Sequence, residues 1–139
     1  MKRLAFFLIG LVCTSLHAAA TDPVDEIANR SGLPASEVSA LIANCDASQT
    51  SMNFCAWRDQ LVAEQNLHLV MADREAQSPT CKARLEKQIS RWITQRDRAC
   101  RSEAQQAWGT GSMRQAAQAT CAAKQTETLI GKVKAFGCR

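Results

Sequence analysis

The sequence predicts an all-α fold, a small disulfide-braced helical bundle built on an antiparallel helical hairpin. Three observations carry that expectation. Apolar residues recur at helical spacing in long runs separated by Pro, Gly and Ser breaks. No alternating β-branched run is present, and the chain has no tyrosine and few other aromatics. The cysteines are spread along the helical runs, without the close pairs that a metal site or a redox centre uses.

The N-terminus reads as a leader. Lys2 and Arg3 precede the apolar run Leu4 to Val12, which is shorter than the roughly 20 residues that span a bilayer. Ala18-Ala19-Ala20 follows as a small-x-small cleavage site. Residues 1–20 are therefore expected to be a signal peptide cleaved near Ala20, placing the mature chain in the periplasm or the medium without membrane insertion. Lipid attachment at Cys13 is disfavoured, because that cysteine follows Val12 rather than a small residue. With the leader removed, seven cysteines become six, and 17 basic against 13 acidic residues become 15 against 13. An even cysteine count in an exported chain implies disulfides. A net charge of only +2 gives no whole-chain argument for a nucleic-acid partner.

Residues 21–44 are expected to form an N-terminal helical cap on the domain of residues 45–139. Asp22-Pro23 reads as a helix cap followed by proline at the first helical position. Ser31 to Pro34 is a turn, and Ser36 is the expected cap of a second short helix through Val38, Leu41 and Ile42. Asp22, Asp25, Glu26, Glu37 and nearby Asp46 make this stretch acidic. Its rhythm is that of a helix-turn-helix, but its charge and the leader argue against DNA.

A long helix is expected from about Ser51 to Gln77, with Met52, Cys55, Ala56, Val62, Ala63, Leu67 and Val70 on its buried face. Ser78-Pro79 ends it and starts another, to about Ala107, with Cys81, Leu85, Ile89, Trp92 and Cys100 on one face. Gly109-Thr110-Gly111 is the clearest break, and Ser112 is the expected cap of a last helix carrying Ala122, Thr126, Leu129, Val133 and Phe136.

If the last two helices form a hairpin turning at Thr110, residues facing each other have numbers that sum to about 220. Cys81 with Cys138, and Cys100 with Cys121, each fall within a residue of that register. These pairs are expected, with Cys45–Cys55 as the third, although six cysteines permit fifteen pairings.

The ordered set Cys45-Asp-Ala-Ser-Gln-Thr-Ser-Met-Asn-Phe-Cys55-Ala56, Gln88-x-x-x-Trp92-Ile-x-x-Arg96-Asp97-x-x-Cys100, Gly109-x-Gly111-Ser112, and Cys121 with Thr126 resembles the LprI-type lysozyme inhibitor N-terminal domain family of small exported bacterial proteins. The match runs from about Cys45 to Val133. The resemblance implies a helical exported domain and inhibition of lysozyme as a candidate function. Ala63-Glu64, Leu67-His68 and Met71 stand where the family carries Ala-Asp, Leu-Asn and Tyr, and Leu129 where it often has arginine.

Among individual residues, Arg96 lies on or beside the buried stripe and needs an acceptor. Glu64 is the first expected partner and Asp59 the second, giving Trp92, Arg96, Asp97 and Glu64 a structural role. His68, the only histidine after the leader, has no nucleophile motif beside it and reads as a polar surface residue near Arg96. No catalytic residue, metal or cofactor is expected. Arg84, Lys87, Arg91 and Arg98 are candidate binding residues on a basic helix face that partly faces the acidic N-terminal stretch, and Arg114, with the Gly109–Ser112 turn, is a candidate to address the cleft carboxylates of a muramidase. The first expectation is an exported, non-enzymatic binding protein whose partner is a lysozyme-type muramidase. The second is an accessory envelope protein that binds a resident protein or anionic polymer through the basic helix. The oligomeric state is not legible.

Overall fold

The computed structural model describes residues 21–137, so the expected leader and Cys138 lie outside the described residues. Five α-helices follow one another: α1 (Pro23–Ser31), α2 (Ala35–Ala43), α3 (Gln49–Gln77), α4 (Lys82–Trp108) and α5 (Arg114–Lys134), with a 3-10 turn at Pro79–Cys81 between α3 and α4. There is no strand among the described residues. Among the described residues no helix is long and apolar enough to cross a membrane.

Local chemistry sets the helix ends. Asp22 Oδ1 accepts from the Val24 N–H at 2.7 Å, and Pro23 opens α1 where its missing N–H costs nothing. Gly32 ends α1 in the left-handed region at φ 75°. Two expected caps are corrected. Ser36 lies inside α2, whose N-cap is Pro34 without a side-chain bond. Ser112 lies in the turn before α5, whose N-cap is Met113, again without one. In both cases the chain enters the helix through a proline-set or turn backbone, so the serine falls a position away from the orphan N–H groups. The long helix starts two residues earlier than expected, because Ser48 Oγ accepts from the Ser51 N–H at 3.0 Å.

α3, α4 and α5 run up, down and up. The most extensive pairing is between α3 and α5, which lie parallel. Arg74, near the end of α3, donates to the Phe136 carbonyl just past α5 at 2.6 Å. Buried Ala56 and Ala63 on α3 meet a helix carrying buried Ala116 and Ala122. Small side chains let the two backbones approach closely. α4 and α5 form the antiparallel hairpin. α3 and α4 touch little beyond their connecting turn. There Lys82 Nζ meets Glu75 at 2.7 Å and Glu86 at 3.5 Å. The Glu75 hydrogen bond and charge raise the Lys82 pKa above the ordinary lysine value.

Two apolar clusters result. Leu67, Leu85, Ile89, Leu129 and Val133 fill the end of the bundle by the α3–α4 turn, with Trp92 and Phe136, edge to face with each other, packed against them. Ile27, Val38 and Leu61 form a second cluster, bordered by Phe54 and Trp57, where α1 and α2 sit on α3. This second cluster corrects the expected stripe of α3. Val62 is 39% exposed and Leu61 is buried, because α3 is covered on two faces and one helical stripe describes only one of them. α1 and α2 pack on α3 and on each other, not on α4. The expected partial facing of the acidic N-terminal stretch and the basic α4 surface is therefore absent.

Two disulfides are described. Cys45–Cys55 ties the loop after α2 to α3, and Cys100–Cys121 ties α4 to α5, with Cα–Cα separations of 5.7 and 5.5 Å. Cys81 is buried and disulfide-bonded; its expected partner, Cys138, is outside the described residues.

Candidate functional site

The interior of the bundle is polar at one level. Arg96, only 6% exposed, reaches from α4 into the space between the three long helices. Its Nη2 lies 2.9 Å from Glu64 Oε1 and 2.7 Å from Asp97 Oδ1, and its Nη1 donates to Thr126 Oγ1 at 2.6 Å. Gln60 extends the network by donating to Glu64 at 3.0 Å. The guanidinium thus has charge partners and a hydroxyl, which offsets the cost of removing it from water. Asp59, the second candidate acceptor, is held instead by Arg58 at 2.7 Å. His68 is exposed, and among the described residues the Arg96 partners are Glu64, Asp97 and Thr126. Trp92 is half-buried, with Lys132 Nζ 5.6 Å from its ring centroid. The group closes the bundle rather than opening a reaction site.

Beyond this network, toward the α4–α5 turn, the structure offers surface. Trp108, the last residue of α4, is 48% exposed. The turn after it is set by its backbone. Gly109 takes φ 55°, a region that L side chains rarely enter, and the Gly111 N–H donates to the Trp108 carbonyl at 2.8 Å. A Cβ at Gly111 would stand 2.8 Å from that same carbonyl oxygen. Arg114 at the start of α5 is held against α4 by a 2.9 Å bond from Nη1 to Gln105 Oε1. Cys100–Cys121 braces the hairpin two turns of α4 below the tip.

The candidate basic residues fall into two groups. Arg84 lies 6.0 Å from the Phe136 ring centroid at the far end of α4. Lys87 is exposed, and Arg91 lines a shallow hollow with Ser90, Thr94, Gln95 and Arg98. Arg98 also joins Arg101 and Arg114 around a larger hollow of about 600 Å³ beside the turn. A further hollow of about 260 Å³ lies between α3 and α5, with Phe54 and Trp57 in its wall, and both hollows are lined by Gln115 and Gln118. The structure therefore brings Arg98 and Arg114 together and leaves Arg84 and Lys87 apart from them.

Trp108 and the two glutamines were not among the expected site residues. The signal for Trp108 was present, a large aromatic immediately before Gly-x-Gly, where a turn leaves it no neighbouring helix to cover it. Gln115 and Gln118 carried no signal, because their placement depends on how far α3 and α4 diverge.

No group of three or more His, Cys, Asp or Glu side chains is arranged to hold a metal among the described residues. Compared with known proteins, the chain matches the family model described as lysozyme inhibitor LprI over residues 43–132, well over half its length. No curated protein and no solved structure matches it.

Proposed function

The chain belongs to the lysozyme inhibitor LprI family, and on that premise we propose that it is an exported binding protein that blocks a lysozyme-type muramidase through the α4–α5 turn. The observation that carries the reading is Trp108, a large aromatic left 48% exposed at the tip of a disulfide-braced hairpin. Muramidases hydrolyse glycans with a pair of carboxylates in a cleft. Blocking a cleft calls for a convex, rigid element that brings apolar area and a cation. The turn supplies Trp108 for area and Arg114, already anchored on Gln105, for the carboxylates. Its preset backbone limits the ordering cost on binding. The disulfides agree with the oxidising compartment that such a role requires.

The test is lysis of peptidoglycan by several lysozyme types in the presence of the purified, oxidised protein. Stoichiometric inhibition of at least one type is expected, weakened about tenfold or more by Trp108→Ala or Arg114→Ala with the fold intact. Absence of inhibition of every type at micromolar protein would overturn the reading. Inhibition untouched by both substitutions would move the contact to another surface.

A further inference from the structure

We propose that the groove between the first half of α3 and the last half of α4, floored by the start of α5, is a binding site for a short carboxylate-bearing oligosaccharide. This site lies beside the turn and shares Arg114 with it, but it does not rest on the inhibitor reading. The two hollows adjoin across Gln115 and Gln118. Together they fall in the size range of ligand sites rather than of single-ion sites. Their walls differ in chemistry. The α3 wall presents Trp57 and Asn53, and the α4 wall presents Arg98 and Arg101.

Each feature favours the same ligand class. The Asn53 Oδ1 atom is buried and meets no hydrogen-bond donor among the described residues. A buried acceptor left without a donor is costly, and since the Asn53 side chain lines the groove, turning its amide outward would let a ligand hydroxyl or acetamido N–H satisfy it. Each primary amide of Gln115 and Gln118 offers a donor and an acceptor side by side, which matches adjacent sugar hydroxyls. An indole in the wall gives a flat apolar face for a pyranose ring. At the opposite wall two arginines stand near the first turn of α5, which no side chain caps. The start of α5 carries partial positive charge, so guanidinium and helix end together favour a carboxylate. A peptide strand fits less well, since the groove offers neither a sheet edge nor a deep apolar pocket.

The oxidised protein, labelled with ¹⁵N, would be titrated with N-acetylglucosaminyl-N-acetylmuramic acid, which carries a carboxylate, and in parallel with chitobiose, which does not. A glutamate-rich peptide forms the third arm. Saturable shifts in the Trp57 indole and in the Gln115 and Gln118 amides are expected with the acidic sugar. Binding should be weaker for chitobiose, and Arg98→Gln with Arg101→Gln should reduce affinity for the acidic sugar about tenfold or more while leaving chitobiose unchanged. No shift at these positions with the acidic sugar at about 10 mM would overturn the proposal, as would tighter binding of the peptide at the same residues. No lysozyme is present in this experiment, so its failure and the failure of the inhibitor reading are distinguishable.

Discussion

Arg96 donates to the Thr126 hydroxyl at 2.6 Å, and that hydroxyl donates in turn to the Ala122 carbonyl at 2.7 Å. Thr126 is fully buried, so its single oxygen couples the guanidinium of α4 to the backbone of α5. Thr126→Val keeps the volume and removes the acceptor, leaving a buried donor unsatisfied. A loss of about 1–3 kcal/mol is expected in urea unfolding, with an unchanged slope. Thr126→Ser retains the hydroxyl and should lose about 1 kcal/mol for its missing methyl. Equal stability of the valine variant and the parent would show that this hydrogen bond contributes nothing net.

Cys100–Cys121 closes a local loop that contains the whole turn. Replacing both cysteines by serine should cost about 3 kcal/mol, the loop-closure value for a ring of this length. Thermal unfolding of the double variant would measure it. The effect should be largest at the turn, so amide exchange of Gly109 to Arg114 should accelerate more than that of Leu85 or Val133.

The glycines divide by backbone. Gly109→Ala places a Cβ on a residue at φ 55°, ψ −121°, and Gly111→Ala drives one into the Trp108 carbonyl. Each should cost about 1–3 kcal/mol. Gly131 sits inside α5 with open space where a Cβ would be. Gly131→Ala should therefore stabilise by about 0.5–1 kcal/mol through helix propensity. Denaturation midpoints of the three variants would separate the two classes.

Leu61 and Val62 are neighbours with opposite environments. Leu61→Ala removes a buried side chain from the cluster with Ile27 and Val38, and should cost about 2–4 kcal/mol. Val62→Ala should stay within about 0.5 kcal/mol. The reverse order in chemical denaturation would mean that α1 and α2 do not pack on α3 as described.

Much of this architecture was legible before the structure. The hairpin register that opposes Cys100 with Cys121 follows from helical rise and a Gly-x-Gly break, and the bridge is present. The Glu64–Arg96 contact follows from placing a buried cation opposite the adjacent antiparallel helix. What escaped was tertiary. Val62 in place of Leu61 was misread because a periodicity argument assumes one covered face. Ser36 and Ser112 were misread as caps because proline-set and turn backbones can enter a helix without one. The groove was invisible because its floor residues, Gln115 and Gln118, acquire meaning only once α5 is known to lie between two helices that part from one another.

The parallel pairing of α3 with α5 has a consequence for how little of the chain can stand alone. The broadest interface joins helices separated by the whole of α4, while the neighbours α3 and α4 share much less, chiefly their turn and the Glu64–Arg96 contact. A fragment ending after α4 would leave the alanine-lined side of α3 facing water, and would strip Leu129 and Val133 from the cluster that buries Leu67. The smallest autonomous unit is therefore the set of three long helices. Cleavage in the α4–α5 turn need not separate them while Cys100–Cys121 holds, so a nicked chain can keep its shape under oxidising conditions and lose it on reduction.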